Sequence, residues 1–340
     1  MPNNDNLFKK AAVFSDIHFG LKHNSREHNN DCERFVKWFI DQAKERGCET
    51  CFFLGDWHHH RASVNVSTLN YTLSNLGFLN DSFEKVYFIV GNHDLYYKEK
   101  REINSIPMAE RFQNIVMVDK ILKKGNVAIV PWLVGSEWKK IEKIKTKYMF
   151  GHFELPRFKM NAMVEMPDHG GLKADLFKHQ DYVFSGHFHK RQQQGKIHYI
   201  GNPFGHNYAD IWDFERGAMF LEWDGEPEYV DWEDGPRYVA LTLSELLEDP
   251  ETFLNENTFA KVTLDVDITY EEANFLRDTF AETYKIRELR LIPRRDVEDI
   301  DVKPGDIKFE TVDQIVLDNI NNIESDIYSK EKLASIYNEL

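Results

Sequence analysis

Along the first 235 or so residues, short continuous apolar runs alternate with stretches of helical period. Ala11–Asp16 reads as a buried strand. Over residues 31–46 the apolar positions Phe35, Val36, Phe39, Ile40 and Ala43 fall on one helical face, with Gly47 as its stop. Cys51–Asp56 is the next predicted strand, Val64–Leu79 a helix and Lys85–Asp94 a third strand. This β-α-β-α-β rhythm implies a parallel sheet, whose binding crevice lies beyond the carboxyl ends of its strands.

After Phe112 the runs come closer together: 115–119, 126–133, 147–152, 181–187, 196–201, 217–223 and 228–232. A second, more antiparallel sheet packed on the first accounts for them. Near Gly235-Pro236 a new β-α-β pattern begins, with alternating strands at 237–243 and 260–268, an amphipathic helix over 270–283 and a closing strand at 288–294. Residues 297–310 are acidic, contain Pro304-Gly305 and read as a linker. From Thr311 to Leu340, apolar positions at Val312, Ile315, Val316, Ile320, Ile323, Leu333, Ile336 and Leu340 predict a helical pair with an apolar stripe. The expected fold class is α/β: a layered α-β-β-α sandwich over 1–235, a small β-α-β domain over 236–296, and a helical tail over 311–340.

Composition adds constraints. With 42% hydrophobic, 29% charged and 14% aromatic residues the chain is that of a globular protein. No apolar run approaches the ~20 residues of a membrane span, and the polar start lacks the apolar core of a secretory signal, so no membrane partner and a cytoplasmic location are expected. Cys32, Cys48 and Cys51 are too few for a disulfide framework. Cys48-x-x-Cys51 has no second pair nearby and reads as structural thiols. The net charge of −15 argues against charge-driven binding of nucleic acid by the chain alone.

Five motifs stand where an apolar run gives way to a loop: Asp16-Ile17-His18, Gly55-Asp56, Gly91-Asn92-His93-Asp94, Gly151-His152 and Gly186-His187-Phe188-His189. Strand ends of one sheet system converge, so these side chains can meet. Asp16, His18, Asp56, Asn92, His152, His187 and His189 form a mixed oxygen and nitrogen donor set without thiolate. That suits Mn²⁺, Fe²⁺ or Zn²⁺ better than Mg²⁺ or Ca²⁺. Seven donors exceed one tetrahedral ion but fit two ions sharing a carboxylate, for which Asp56, on the central strand, is the natural bridge. Two ions ~3.5–4 Å apart can activate water and neutralise a phosphodiester in an in-line displacement. His93, beside Asn92 and not needed as a ligand, is the candidate proton donor, imidazole titrating near ~6.5.

These motifs resemble the calcineurin-like metallophosphoesterase superfamily, and within it the SbcD/Mre-type DNA-repair nucleases, including their phage subunits. Phosphatases of the superfamily carry Gly-Asp-x-x-Asp-Arg-Gly and Gly-Asn-His-Glu. Here the second motif reads Gly55-Asp56-Trp57-His58-His59-His60-Arg61 and the third ends in Asp94. Gly151-His152-Phe153-Glu154-Leu155, Pro131-Trp132 and Tyr199-Ile200-Gly201-Asn202-Pro203 also match the nuclease branch. The resemblance implies one ion held by Asp16, His18, Asp56 and His189, and another by Asp56, Asn92, His152 and His187, with Mn²⁺ the expected metal. It further implies His93 as catalytic histidine and His59 as a second one assisting exonuclease action. Arg61 could touch a DNA phosphate, although a solvated loop arginine is an equal reading; His58 and His60 are expected to be exposed loop residues.

The function this implies is a 3′→5′ exonuclease and single-strand endonuclease acting on DNA ends in recombination and double-strand-break repair. Residues 236–296 would then be the family's capping domain. Residues 311–340 would dock on the coiled-coil base of an SbcC-type ATPase, which would also supply the basic DNA-binding surface. Homodimerisation is common in the family, but no interface signature stands out. The competing readings are a phosphomonoesterase or cyclic-nucleotide phosphodiesterase on the same scaffold, and a non-enzymatic tether for the ATPase.

Overall fold

A computed structural model describes residues 6–160, 164–293 and Ser329. The linker and tail expected over 297–340 therefore lie, Ser329 aside, outside the described residues. The chain up to Pro293 forms one compact unit.

Two six-stranded sheets lie face to face. The first runs, in spatial order, Glu228–Asp231, Gly217–Glu222, Lys10–Phe14, Thr50–Phe53, Lys85–Ile89, Ile115–Val118. Its last four strands are parallel, as the β-α-β rhythm predicts. The second runs Gln192–Gln194, Ile197–Tyr199, Tyr182–Gly186, Tyr148–His152, Val127–Val130, Leu122–Lys124.

Three details differ from the sequence expectation. The central four strands of the second sheet are mutually parallel, and only its edges are antiparallel. Ile115–Val118 belongs to the first sheet, and so do Gly217–Glu222 and Glu228–Asp231, which return antiparallel to Lys10–Phe14. An apolar run reports burial, not which of two stacked sheets receives it. A small hairpin, Leu95–Tyr97 with Lys100–Asn104, was not expected from its polar sequence.

The interior between the sheets is aromatic: Phe52 stacks on Phe150 with ring centres 4.0 Å apart, among Val13, Leu54, Ile89, Ile129 and Phe184. The opposite face of the first sheet is covered by helices Arg26–Glu45 and Val66–Ser82. The first begins earlier than its apolar stripe suggests. Ser25 caps it, and its opening turn buries His28 and Asn29, polar residues that hydrophobic periodicity passes over. Among the described residues the outer face of the second sheet carries only 3₁₀ turns, Glu137–Lys143 and Ala174–Leu176, and loops, so the fourth layer of the sandwich is thin there.

Beyond Pro236, strands Arg237–Thr242, Thr258–Thr263 and Glu288–Ile292 form a parallel sheet with helix Tyr270–Tyr284 and its own apolar cluster. It is tied to the sandwich by polar contacts. The Arg287 guanidinium donates to both Asp31 oxygens, at 2.5 and 2.9 Å, and the Tyr238 hydroxyl donates to the His206 carbonyl at 2.9 Å.

Candidate metal centre

Strands Lys10–Phe14, Thr50–Phe53, Lys85–Ile89, Tyr148–His152 and Tyr182–Gly186 end, or run straight into loops, on one side of the sandwich. There the backbone leaves extended geometry abruptly. Asp16 (φ 53°), His18 (φ 53°), Asp56 (φ 63°) and His187 (φ 90°) all have left-handed backbone, a conformation that costs non-glycine residues ~1–3 kcal/mol and gathers at functional sites. The close packing is enforced by Gly91 and Gly186. A Cβ on Gly91 would fall on the Asp56 carboxylate and amide, and one on Gly186 would meet Ser15 Oγ, with Leu54 O 2.8 Å away.

The seven predicted donors meet in two groups sharing Asp56. On one side, His18 Nε2 and His189 Nε2 face each other at 3.2 Å, and His18 Nε2 lies 3.8 Å from Asp56 Oδ2. The Asp16 carboxylate accepts the His187 amide through both oxygens, at 3.0 Å each. On the other side, Asn92 Oδ1 stands 2.9 Å from His152 Nε2 and 2.8 Å from His187 Nδ1, while His152 Nε2 is 3.4 Å from Asp56 Oδ2. Donor atoms of Asp16, His18 and Asp56, and those of Asp56, His152 and His187, lie within 4.8 Å of one another. Asp56 belongs to both groups, as a bridging carboxylate must.

The donor chemistry fits a pair of cations. His152 Nδ1–H donates to the Leu54 carbonyl at 2.7 Å, so Nε2 points a lone pair at the Asn92 oxygen unless the ring takes a second proton. The Glu154 carboxylate, 3.2 Å from His187 Nε2, accepts that N–H and leaves the His187 Nδ1 lone pair facing the same oxygen. Outer hydrogen bonds of this kind fix the tautomer of metal-binding histidines. Without metal, protons carry the missing charge. Burial alone would depress His152, but Asp56 and Asp16 outweigh it and push the ring up to about 9. Burial pushes Asp16 up to about 7. Asp56 would also rise on burial, but His152, His93 and His18 hold it well below the usual carboxylate range. Burial also lowers His18 and takes His189 down to about 4, keeping both rings neutral, which is the ligand form.

His93 borders this centre. Its amide donates to Asp56 Oδ1 at 2.8 Å, and its Nδ1–H donates to the His59 carbonyl at 2.8 Å. Nε2 takes no part in either bond. The His59 ring stacks on His93 at 5.5 Å, and burial takes His59 down to about 4. So His59 orients His93 through its backbone and covers it with its ring. Arg61 is half-buried in the same loop. His58 corrects the expectation of an exposed residue: it is 1% exposed, with Nδ1 2.8 Å from Ser105 Oγ and Nε2 2.8 Å from Thr72 Oγ1. His60 is half-buried rather than exposed.

Three residues gain roles that the motifs alone did not give them. The Asp94 carboxylate accepts four backbone N–H groups, from Asp56, Trp57, His58 and Gly91, at 2.9–3.1 Å. Its position closing the third motif is the only sequence signal. Glu154, which first stood out only as a nuclease-branch marker, holds His187. Arg216, buried between Asp210 and Asp213, donates to the His189 carbonyl at 3.0 Å; nothing in its local sequence marks it.

With this geometry in view, the class follows. Residues 9–191, more than half the chain, match the model of the calcineurin-like phosphoesterase family, and the chain belongs to that family: it is a phosphoesterase, a hydrolase of phosphate esters. Among individual proteins, it is similar to exonuclease subunit 1 of Enterobacteria phage T4, at 29% identity over 226 residues. That alignment takes in 64% of this chain and 66% of the phage protein, just under two thirds of the latter. Among solved structures, it resembles the nuclease MPE of Pseudomonas putida, at 20% identity over 55% of this chain and 66% of that one, with a TM-score of 0.30. A dimetal phosphatase from Danio rerio shares 10% identity over 63% of this chain and 92% of its own, with a TM-score of 0.38.

Proposed function

We propose that this phosphoesterase is a two-metal DNA nuclease, a 3′→5′ exonuclease and single-strand endonuclease that trims DNA ends in recombination and break repair. The observation that carries the reading is the convergence of seven donors in two groups around Asp56, with His93 held beside them by the His59 carbonyl. The similarity to a phage exonuclease subunit supports DNA as substrate. So does a second motif that lacks the Asp-Arg-Gly of the superfamily's phosphatases.

Asp16, His18, Asp56 and His189 would hold one ion, and Asp56, Asn92, His152 and His187 the other. Bound there, two divalent ions, Mn²⁺ on the family resemblance, would supply positive charge to the phosphate and lower the pKa of water. The remaining work falls to the chain. His93 Nε2 gives a proton to the departing 3′ oxygen, His59 keeps that ring in place, and Arg61 meets a phosphate at the rim. A cleft of about 290 Å³ beside His152 and Glu154, lined by Trp132 and Trp138, offers aromatic faces to a nucleobase.

Hydrolysis of a thymidine dinucleotide in Mn²⁺ tests the chemistry, because its departing 3′ oxygen, unlike p-nitrophenolate, needs a proton. His93→Ala is expected to slow it ~10²–10⁴-fold, the usual weight of a general acid, with both ions still bound. An unchanged rate would remove His93 from the mechanism. Faster turnover of a monoester than of any diester would favour the phosphomonoesterase reading.

The proposal extends to organisation. Residues 236–296 act as a cap on the 1–235 nuclease domain, and 297–310 link it to a helical segment, 311–340, that binds an SbcC-type ATPase. That partner supplies the basic surface that a chain of net charge −15 lacks. A second copy of the chain is a further proposed partner, on the resemblance alone. Three buried free thiols suit a reducing cytoplasm, that of the host if the chain is phage-encoded, and no described helix is long and apolar enough to cross a membrane. Removing 311–340 is expected to abolish co-purification with the ATPase while leaving diester hydrolysis intact; retained binding would refute the tail's role.

A further inference from the structure

His206 follows strand Ile197–Tyr199 in the loop Gly201-Asn202-Pro203-Phe204-Gly205 and belongs to none of the five motifs. It is 1% exposed, yet neither ring nitrogen has a hydrogen-bond partner among the described residues. A neutral imidazole always carries one N–H, and burying it unpaired costs ~1–3 kcal/mol. Its neighbours explain why a nitrogen is there. The ring lies edge-on to His189 at 5.2 Å and to His18 at 5.5 Å. Donor nitrogens of His18, His189 and His206 fall within 4.8 Å of one another.

The backbone of His206 is firmly held. Its amide donates to Asp210 Oδ2 at 2.8 Å, its carbonyl accepts the Tyr238 hydroxyl, and the amide of Gly205 donates to the Pro236 carbonyl at 3.2 Å. Asp210 also pairs with Arg216, the residue that grips the His189 carbonyl. One buried ion pair thus sets the positions of His189 and His206 together.

We propose that His206 is an additional nitrogen ligand at the ion position built by His18 and His189. The inference rests on the two-ion reading above and deepens it. Three imidazoles beside the carboxylates of Asp16 and Asp56 would bias that position toward Mn²⁺, Fe²⁺, Co²⁺ or Zn²⁺ and against Mg²⁺. They would also connect the ion to the three-stranded sheet, because Tyr238 on Arg237–Thr242 holds the His206 backbone.

The test is Co²⁺ titration of the metal-free full chain, following the visible Co²⁺ spectrum and ions bound per chain by elemental analysis. The variants are His206→Phe, which keeps a ring without a nitrogen, and His206→Gln, which restores a side-chain donor. The wild type is expected to bind two ions. His206→Phe should hold one of them at least ~10-fold more weakly, the scale seen on losing even an outer partner of a ligand, with an altered Co²⁺ band, and His206→Gln should recover part of the affinity. Melting of the metal-free variants confirms that they fold. Two ions bound by His206→Phe with wild-type affinity and spectrum would overturn this inference alone and make His206 a packing residue. A folded wild type that binds fewer than two ions would overturn the two-ion reading, and this inference with it.

Discussion

Asp56→Asn is expected to lower diester hydrolysis by on the order of 10³-fold or more, the equivalent of several kcal/mol of lost charge stabilisation. The side chain keeps its shape, and its oxygen can still accept the His93 amide, so the variant should fold. What disappears is the one negative charge common to both donor groups. Two readouts separate this from general damage. Elemental analysis should show fewer than two ions per chain. In the metal-free protein, the His152 ring should titrate well below its value of about 9, because burial would then act with only Asp16 and the Leu54 carbonyl left to oppose it. Full metal content with full activity would contradict a bridging Asp56.

Asp94→Ala is expected to be the most destabilising single change near the centre, although Asp94 is not among the proposed ligands. Its fully buried carboxylate is the acceptor for four amides that fix the turn after Thr50–Phe53 against the turn after Lys85–Ile89. Removing it strands those donors, at ~1–3 kcal/mol each before water or relaxation recovers part. A net loss of about 3–5 kcal/mol, or roughly 10 °C in the melting temperature, follows for a unit of this size. Because the amides of Asp56 and Gly91 are among the four, metal affinity should fall with stability. A melting temperature within about 2 °C of wild type would show that solvent replaces the carboxylate and that the turn needs no central acceptor.

The parallel strands of the first sheet were legible because buried parallel strands read as unbroken apolar runs. The convergence of the candidate donors was legible for the same reason: Asp16, Asp56, Asn92, His152 and His187 stand where such a run stops. Periodicity was silent on anything set by contacts between distant segments. It could not say that Ile115–Val118 and Gly217–Glu222 join the first sheet. Nor could it tell that His58 is sealed by Thr72 and Ser105, since a His-His-His run looks equally polar buried or exposed. The left-handed backbone at Asp16, His18, Asp56 and His187 has no sequence signature either, because it is imposed on residues that would not choose it. His206 was invisible in sequence for the plainest reason, as a lone histidine in a loop becomes part of a site only when Arg216 and Tyr238 put it there.

The most direct test of the central claim is cleavage of end-labelled linear duplex DNA by the purified chain in Mn²⁺, in Mg²⁺ and in EDTA. Stepwise, Mn²⁺-dependent loss of nucleotides from the 3′ end, abolished by EDTA, is the predicted result. An intact DNA end under every condition, from protein that holds two ions and hydrolyses a small diester, even when an SbcC-type ATPase is added, would contradict DNA as the substrate.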